Sequence, residues 1–561
     1  MHFLSRLLLV VSSATAHASE GPATCDEPAP IPPAMGLCEV TSGDSGLLIR
    51  GTLLLPEGAL SNGSLLADAD GLIVCAGCGC LAEPAAVAAT RLDCPDAVIS
   101  PGLIDALGRL GFSANPPHQN AIESERWEHR HDWRRGLNGH SQITGVGSAT
   151  ANQIRWAELR GLLAGVTSII STGSEGQPGF ARNLNRTVDA AELGGAAVSA
   201  NSFPFGDSSG NTLTDSCSYA TLPGLAGSVP RILLLADGID ARASNEYRCV
   251  SGQAADGVDV MADTAVEGGL ALAVADLLRM RADGSVLIWQ PRHQLSVYGD
   301  SAPVAEALAL GVPVALSSFW TPTGSPHLGR ELACAREFDD SVLGGRLGAS
   351  AIWRMATEGG ARVAGMESRI GVLAAGAMAD IMIVPARGLE PHAAVVDAVN
   401  RDIALVLRGG MPMFGDAALV ADLGGSDCEL IEVCTQSRRA CVLRETAGAI
   451  SLADLQAAAG LSQPLFTCDS PELERSCRPS RTLPFPYGGL PTAGDADGDG
   501  IADGADNCPD TFNPPRPGSA GVQPDFDGDG AGDACDICPQ FADASQCLVR
   551  VFRDGFERVL E

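Results

Sequence analysis

The sequence predicts an α/β protein organised around a closed (β/α)8 barrel, and three observations carry that expectation. Apolar runs of strand length alternate with helix-like stretches over roughly 270 residues, too many repeats for an ordinary open sheet. The runs are apolar along their whole length rather than at every second residue, as in strands buried on both faces. Short strand-and-turn patterns flank this region on both sides, as a second, hairpin-built sheet requires.

The elements follow in order. Residues 47–55 and 63–74 are β-like runs separated by turn residues. The barrel runs include 165–170, 231–235, 258–261, 285–289 and 312–316, with helix-like segments such as 270–281 and 302–310 between them. Strand patterns return at 371–384 and 406–410, residues 452–459 read as a helix, and a Pro-rich, Cys-containing stretch runs on to about residue 492. An acidic repeat and a short tail close the chain.

Composition narrows the function. The hydrophobic fraction of 45% supports a sizeable core, and the formal net charge is -31. There is no lysine, so all 37 basic residues are arginine. Bulk electrostatics therefore exclude nucleic acid and anionic lipid as partners and favour cations. Schiff-base chemistry is excluded outright. Arg6, the apolar stretch Leu7-Leu8-Leu9-Val10-Val11 and the small-x-small site Ala16-His17-Ala18 read as an export signal spanning residues 1–18. That apolar run is too short to span a bilayer, and no later segment has the length of a transmembrane anchor. The 18 cysteines suit an oxidising compartment. Cys75, Cys78, Cys80 and Cys94 lack the paired spacing of a zinc site and are expected in disulfides, as is the cluster Cys428, Cys434, Cys441, Cys468 and Cys477. The pairing is not deducible from spacing.

Pro101-Gly102-Leu103-Ile104-Asp105-Ala106-Leu107-Gly108-Arg109 resembles the P-G-x-I-D-x-H-x-H first barrel strand of the amidohydrolase superfamily. Gly371 to Ile381 resembles the G-x-L-x-x-G-x-x-A-D-I segment that re-enters that family's small β-sandwich, so the likeness covers roughly residues 47–420. It implies a barrel with a split sandwich, and a hydrolase of non-peptide C–N bonds that activates a zinc-bound water. At the family's ligand positions this chain departs from the pattern. Leu107 and Arg109 replace the first two histidines, Leu234 and Asp237 stand at the H-x-x-E pair, Glu267 replaces the sixth-strand histidine, and Phe319 replaces the catalytic aspartate. The expectation is that catalytic zinc is lost, that Leu107, Leu234 and Phe319 fill the site, and that Arg109 faces Asp237 and Glu267 in the metal's place.

The sequence offers other constellations of titratable residues. Glu128-His129-Arg130-His131-Asp132-Trp133-Arg134-Arg135, with His293 and His327 on later loops, offers either a displaced metal site or, more simply, structural salt bridges under the barrel mouth. A two-carboxylate glycosidase using Asp237 and Glu267 needs a separation and pKa values that sequence does not supply. Ser317-Ser318 lacks the context of a nucleophile elbow.

Two acidic stretches repeat one register. Asp495, Asp497, Asp499, Asp503 and Asp506, and again Asp525, Asp527, Asp529, Asp533 and Asp536, occupy positions 1, 3, 5, 9 and 12 of EF-hand-like loops with glycine at 6, and Ile501 and Ala531 offer backbone carbonyls. Hard oxygen donors around a turn are what calcium needs. The D-N-C-P and G-D-x-C-D signatures resemble thrombospondin type 3 repeats, and Cys508 is expected to pair with Cys535 across the two units.

The expected organisation is a signal peptide (1–18), an N-terminal linker (19–46), the first sandwich part (47–98), the barrel (99–370), the second sandwich part with a Cys-containing segment (371–445), a linker (446–491), the calcium repeat (492–547) and a tail (548–561) without assigned role. The expected function is that of an exported, non-catalytic binding or surface protein, with a hydrolase using a rebuilt or metal-independent site as the alternative.

Overall fold

The computed structural model is a mixed α/β protein. It describes residues 22–119, 125–145, 147, 149–171, 179–225, 227, 229–460, 463–471, 473–543, 550–553 and 556–559. The expected signal peptide lies outside the described residues.

The chain opens with β1 (Ala23–Thr24), β2 (Glu39–Thr41), β3 (Leu47–Leu55), β4 (Gly58–Ala67), β5 (Ile73–Gly77) and β6 (Thr90–Pro101) in one sheet. β3 and β4 form a hairpin with Leu55 opposite Gly58, whose φ of 130° is available to glycine alone. The segment expected as a linker at 19–46 is instead woven in. β1 pairs with β4, β2 pairs with β6, and disulfides Cys25–Cys78 and Cys38–Cys94 hold both down. Cross-links compensate here for a stretch too poor in apolar residues to anchor itself.

β6 runs directly into the parallel strands. β7 (Leu103–Asp105), β8 (Val166–Ile169) and β9 (Arg182–Asn183) form one parallel sheet. β10 (Ser199–Asn201), β11 (Arg231–Leu235), β12 (Thr264–Gly268), β13 (Val286–Trp289) and β14 (Val314–Leu316) form another. Hydrogen bonds link the sheets at both edges. Val198 N donates to the Leu184 carbonyl (2.9 Å), Ala106 N donates to the Leu316 carbonyl (3.2 Å), and Gly108 bridges Phe319. Side chains alternate between two apolar surfaces. Ile104, Ile232, Ala265, Ile288 and Ala315 pack in one cluster, while Leu103, Leu233, Val266, Leu287 and Leu316 join the larger core. Both faces being buried explains the unbroken apolar runs.

One expected strand fails. Residues 258–261 form no ladder strand; Val260 N bonds the Val250 carbonyl (2.9 Å), and the segment folds back on the end of helix Ala241–Arg248. Its apolar residues are core residues all the same, with Met261 fully buried.

β15 (Ile381–Pro385) then pairs antiparallel with β6, Ile381 opposite Pro101, and so rejoins the first sheet. β16 (Leu405–Arg408), β17 (Met411–Asp416), β18 (Glu429–Val433) and β19 (Gln436–Ala440) complete it. Beyond it, the stretch 446–491 is a packed strap rather than a free linker. Trp156 Nε1 donates to the Gln463 carbonyl (3.1 Å), Cys334–Cys477 ties the strap to helix Leu328–Ser341, and Arg481 donates to the carbonyls of Trp127 (3.1 Å) and Tyr298 (2.6 Å). Eight disulfides occur among the described residues, including Cys75–Cys80, Cys428–Cys441, Cys434–Cys468 and the expected Cys508–Cys535. No helix among these residues is long and apolar enough to cross a membrane.

Candidate functional site at the strand ends

Loops leaving the C-terminal ends of the parallel strands bring the sequence-predicted residues together. In the β11–β12 register Leu234 stands opposite Glu267, and both lie one step beyond the inner-cluster residues Ile232 and Ala265. Period-two alternation therefore turns both side chains inward. Leu107, Leu234 and Phe319 are buried at 0%, 3% and 4% exposure, which closes the middle of the site with apolar volume.

Arg109 reaches into this setting from the end of β7. Its guanidinium pairs with the Glu267 carboxylate, donates to Ser202 Oγ (3.0 Å) and lies 5.0 Å from the centre of the Phe319 ring. Phe319 adopts φ 60°, a region costly for a side chain with a Cβ. Ser317 Oγ, accepting from Phe319 N (3.1 Å), and Arg109 N, donating to the Phe319 carbonyl (3.1 Å), hold it there. His293 lies over the other part of the ring, centres 4.2 Å apart, and accepts or donates at Nδ1 with Thr323 Oγ1 (2.7 Å). Burial first, and then the Arg109 charge, push its pKa down to about 3, so the imidazole is neutral.

Asp237 does not join Arg109. The turn after β11 takes Ala236 to φ 52° and Gly238 to φ 155°, and it sets the Asp237 carbonyl against Arg130 N (2.9 Å) and the Tyr298 hydroxyl (3.2 Å). The side chain is fully buried and makes no ion pair among the described residues. Burial raises its pKa to about 7, against the lowering effect of Arg130. Half of the expected charge cluster forms, then, and Asp237 instead meets the backbone of Arg130 through its carbonyl. Asp105 accepts from Ser318 N (3.1 Å) and from the Ser318 hydroxyl, and burial raises it to about 6.

Arg130 is the centre of a second, wholly buried network built from helix Arg130–Arg135 and its cap. Its guanidinium donates to Asp207 Oδ2 (2.5 Å), Glu246 Oε1 (2.8 and 3.1 Å) and the Ser202 carbonyl (2.9 Å). His131 Nε2 contacts Asp207 (2.8 Å) and His129 Nε2 contacts Glu246 (3.2 Å). Each Nδ1 already accepts a hydrogen bond, in His131 from Arg134 Nη1 (2.8 Å) and in His129 from His131 N (3.1 Å), which assigns the Nε2–H tautomer to both rings. Burial lowers His131 to about 4, so it is neutral. The dense charged segment 128–135 thus forms ion pairs under the mouth. Asp207 and Glu246 carry no sequence signal of this role; chain separations of 77 and 116 residues hide it.

Donor chemistry decides what could bind. Zinc takes imidazole, thiolate and carboxylate ligands. Leu107, Leu234 and Phe319 offer no such atom and Arg109 is itself a cation, so the strand-end set does not fit zinc. His131, Asp207 and Glu246 do bring three ligand atoms within 4.8 Å of one another. A metal ion there would have to displace the Arg130 guanidinium and reverse the His131 tautomer. Glu128, Asp132 and His140 are similarly grouped, but Asp132 carries Arg242 (2.9 and 2.6 Å) and Glu128 carries Arg481 and His140.

The acidic repeat is organised differently. Asp495 accepts from the backbone of Gly498 (2.7 Å) and Gly500 (3.2 Å), Asp497 from Asp499 (3.1 Å), Asp499 from Ile501 (2.7 Å) and Asp503 from Ala496 (2.8 Å). Asp525, Asp527, Asp529 and Asp533 repeat the pattern with Gly528, Gly530, Asp529, Ala531 and Phe526. Gly498 and Gly528 take φ near 76° (77° and 75°), as these turns demand. In each unit the acids at positions 1, 3 and 5 converge within 4.8 Å. Buried Oδ2 atoms of Asp497, Asp506 and Asp527 have no hydrogen-bond partner among the described residues, and burial with neighbouring acids raises Asp497 to about 7. Convergent, orphaned carboxylate oxygens fit calcium.

Residues 237–413 match the model of the amidohydrolase family, and residues 493–516 and 523–546 match the thrombospondin type 3 repeat. Residues 237–413 belong to an amidohydrolase-family domain. Its C-terminal repeats are of the calcium-binding type. Among curated proteins, a 5-methylthioadenosine/S-adenosylhomocysteine deaminase of Syntrophobacter fumaroxidans is 32% identical over 126 residues, 22% of this chain. One from Desulforudis audaxviator is 30% identical over 155 residues, 25% of this chain. These alignments span only 28% and 36% of the relatives' own lengths. Among solved structures, a zinc-bound adenosine deaminase from Xanthomonas campestris shares 15% identity at a TM-score of 0.44, covering 72% of this chain and 99% of that one. A zinc complex of atrazine chlorohydrolase from Arthrobacter aurescens TC1 shares 19% identity at 0.45, covering 65% and 95%.

Proposed function

We propose that this is an exported, calcium-binding protein in which an amidohydrolase-type scaffold serves binding rather than metal-dependent hydrolysis. On this reading the eight parallel strands close into a (β/α)8 barrel, with the split sheet as its second layer and the repeat as a third module. The observation that carries it is the Arg109–Glu267 ion pair beneath Phe319. A guanidinium supplies the positive charge at the strand ends, and apolar side chains take the room a substrate would need. Eight disulfides support residence in an oxidising compartment. Elemental analysis of the purified chain after a calcium wash tests the proposal. Zinc well below stoichiometry is expected, and about one zinc per chain would overturn it.

A second reading, a hydrolase with a displaced metal, draws on the His131, Asp207 and Glu246 grouping and on the deaminase activity of the curated relatives. It expects zinc-dependent deamination of a purine nucleoside derivative that disappears in His131→Ala while the fold persists. The buried Arg130 between the two carboxylates favours the first reading.

A further inference from the structure

The two calcium loops occupy different surroundings. In the first, Asp503 is exposed; in the second, its counterpart Asp533 is buried at 8% exposure against the barrel. Between the barrel and the repeat lies a cleft of about 170 Å³ lined by Leu277, Val304, Glu306, Phe338, Phe512 and Asp533. Its rim is a built junction. Arg516 donates to both carboxylate oxygens of Asp300 (2.7 and 2.9 Å) and to the carbonyls of Leu270 (2.6 Å) and Ser301 (2.9 Å). Gly518 N donates to the Ile239 carbonyl (3.0 Å), and Tyr487 meets Phe512 edge-on at 5.2 Å.

Glu306, on helix Val304–Ala309, is the charge this junction leaves over. Arg516, the cation facing the cleft, is committed to Asp300, and Glu306 makes no ion pair among the described residues. We propose that Glu306 is the barrel's electrostatic partner for the second calcium loop, so that an ion held by residues 525–536 fastens the repeat to the barrel face. Empty, the loop presents Asp533 to Glu306, and two carboxylates sharing an apolar cleft repel. Filled, the loop has its negative charge partly offset by the divalent cation, and the repulsion with the same carboxylate falls. Glu306 and Asp533 line the same cleft, which fits that placement. Linkage makes the effect reciprocal: docking tightens calcium at this loop, and calcium tightens docking.

The inference rests on calcium binding by the repeat, and the experiment separates the two. The full-length chain is titrated with calcium against a chromophoric chelator, alone and as Glu306→Gln. One of two binding constants should weaken about 5-fold, the low end of ordinary coupling between sites, while the other holds. In an Arg516→Met background, which undocks the repeat, Glu306→Gln should no longer have an effect. Glu306→Asp, keeping the charge, should retain most of the wild-type constant and guards against a merely misfolded Gln variant. Both constants unchanged in Glu306→Gln, or an equal shift with and without Arg516, overturns the assignment. A wild-type chain that takes up no calcium overturns the reading beneath it as well.

Discussion

Arg109→Met removes one partner of an ion pair whose side chains are only 10% and 1% exposed. Glu267 would then be left without its counterion in an apolar setting among Leu107, Leu234 and Phe319. Breaking a buried pair from one side costs about 3–5 kcal/mol. The lost guanidinium–ring contact at 5.0 Å adds on the order of 0.5–1 kcal/mol. For a domain of this size each kcal/mol moves the midpoint by about 2 °C, so thermal unfolding should shift down by roughly 7–12 °C. Replacing both partners, Arg109→Met with Glu267→Leu, leaves no stranded charge and should recover most of the loss. Differential scanning calorimetry of the four proteins in saturating calcium closes the cycle. A single substitution that shifts the midpoint by less than about 1 °C, or a double variant as unstable as the single, would refute the claim that this pair is the site's structural cation and its counterion.

Three further outcomes follow from the same geometry. Asp237 sits buried with its pKa raised to about 7 from 3.8. A carboxyl raised in the folded state penalises folding as pH climbs from about 4 to 7, at ~1.4 kcal/mol per unit and at most about 4 kcal/mol. Asp237→Asn should thus gain stability over wild type at pH 8 and lose that advantage by pH 4, as paired melts would register; equal differences at both pH values would contradict it. Arg130→Met strands both Asp207 and Glu246 and should destabilise the chain at least as much as Arg109→Met in the same calorimetric assay. Removing calcium with EDTA should expose residues 491–547 to protease while the calorimetric transition of the α/β domain stays in place, and an unchanged digestion pattern would count against metal in the loops.

Much of the fold was legible because burial on both faces writes itself into sequence as unbroken apolar runs, as in Arg231–Leu235 and Val286–Trp289. The run at 258–261 misled for the same reason, since Val260 and Met261 are core residues reached without a strand. The Arg109–Glu267 pair was legible because both residues fall at fixed offsets in strand motifs, where alternation dictates the inward face. Asp237 was not, because the positive φ of Ala236 lies between it and the strand, and the turn aims its carbonyl at Arg130 N. Asp207 and Glu246 meet Arg130 only through tertiary packing, and no local pattern marks them. The calcium loops read almost directly, their turns being local and duplicated. The docking of the repeat through Arg516 and Glu306 had no such local sign.

The most direct test of the central claim is a crystal structure of the full chain grown with excess zinc, with data collected at the zinc absorption edge. The account predicts density for the Arg109 guanidinium running unbroken to the Glu267 carboxylate, and no anomalous peak near Glu267, Asp237 or His131. A strong peak among those side chains, with Arg109 or Arg130 turned aside to admit it, would contradict the account.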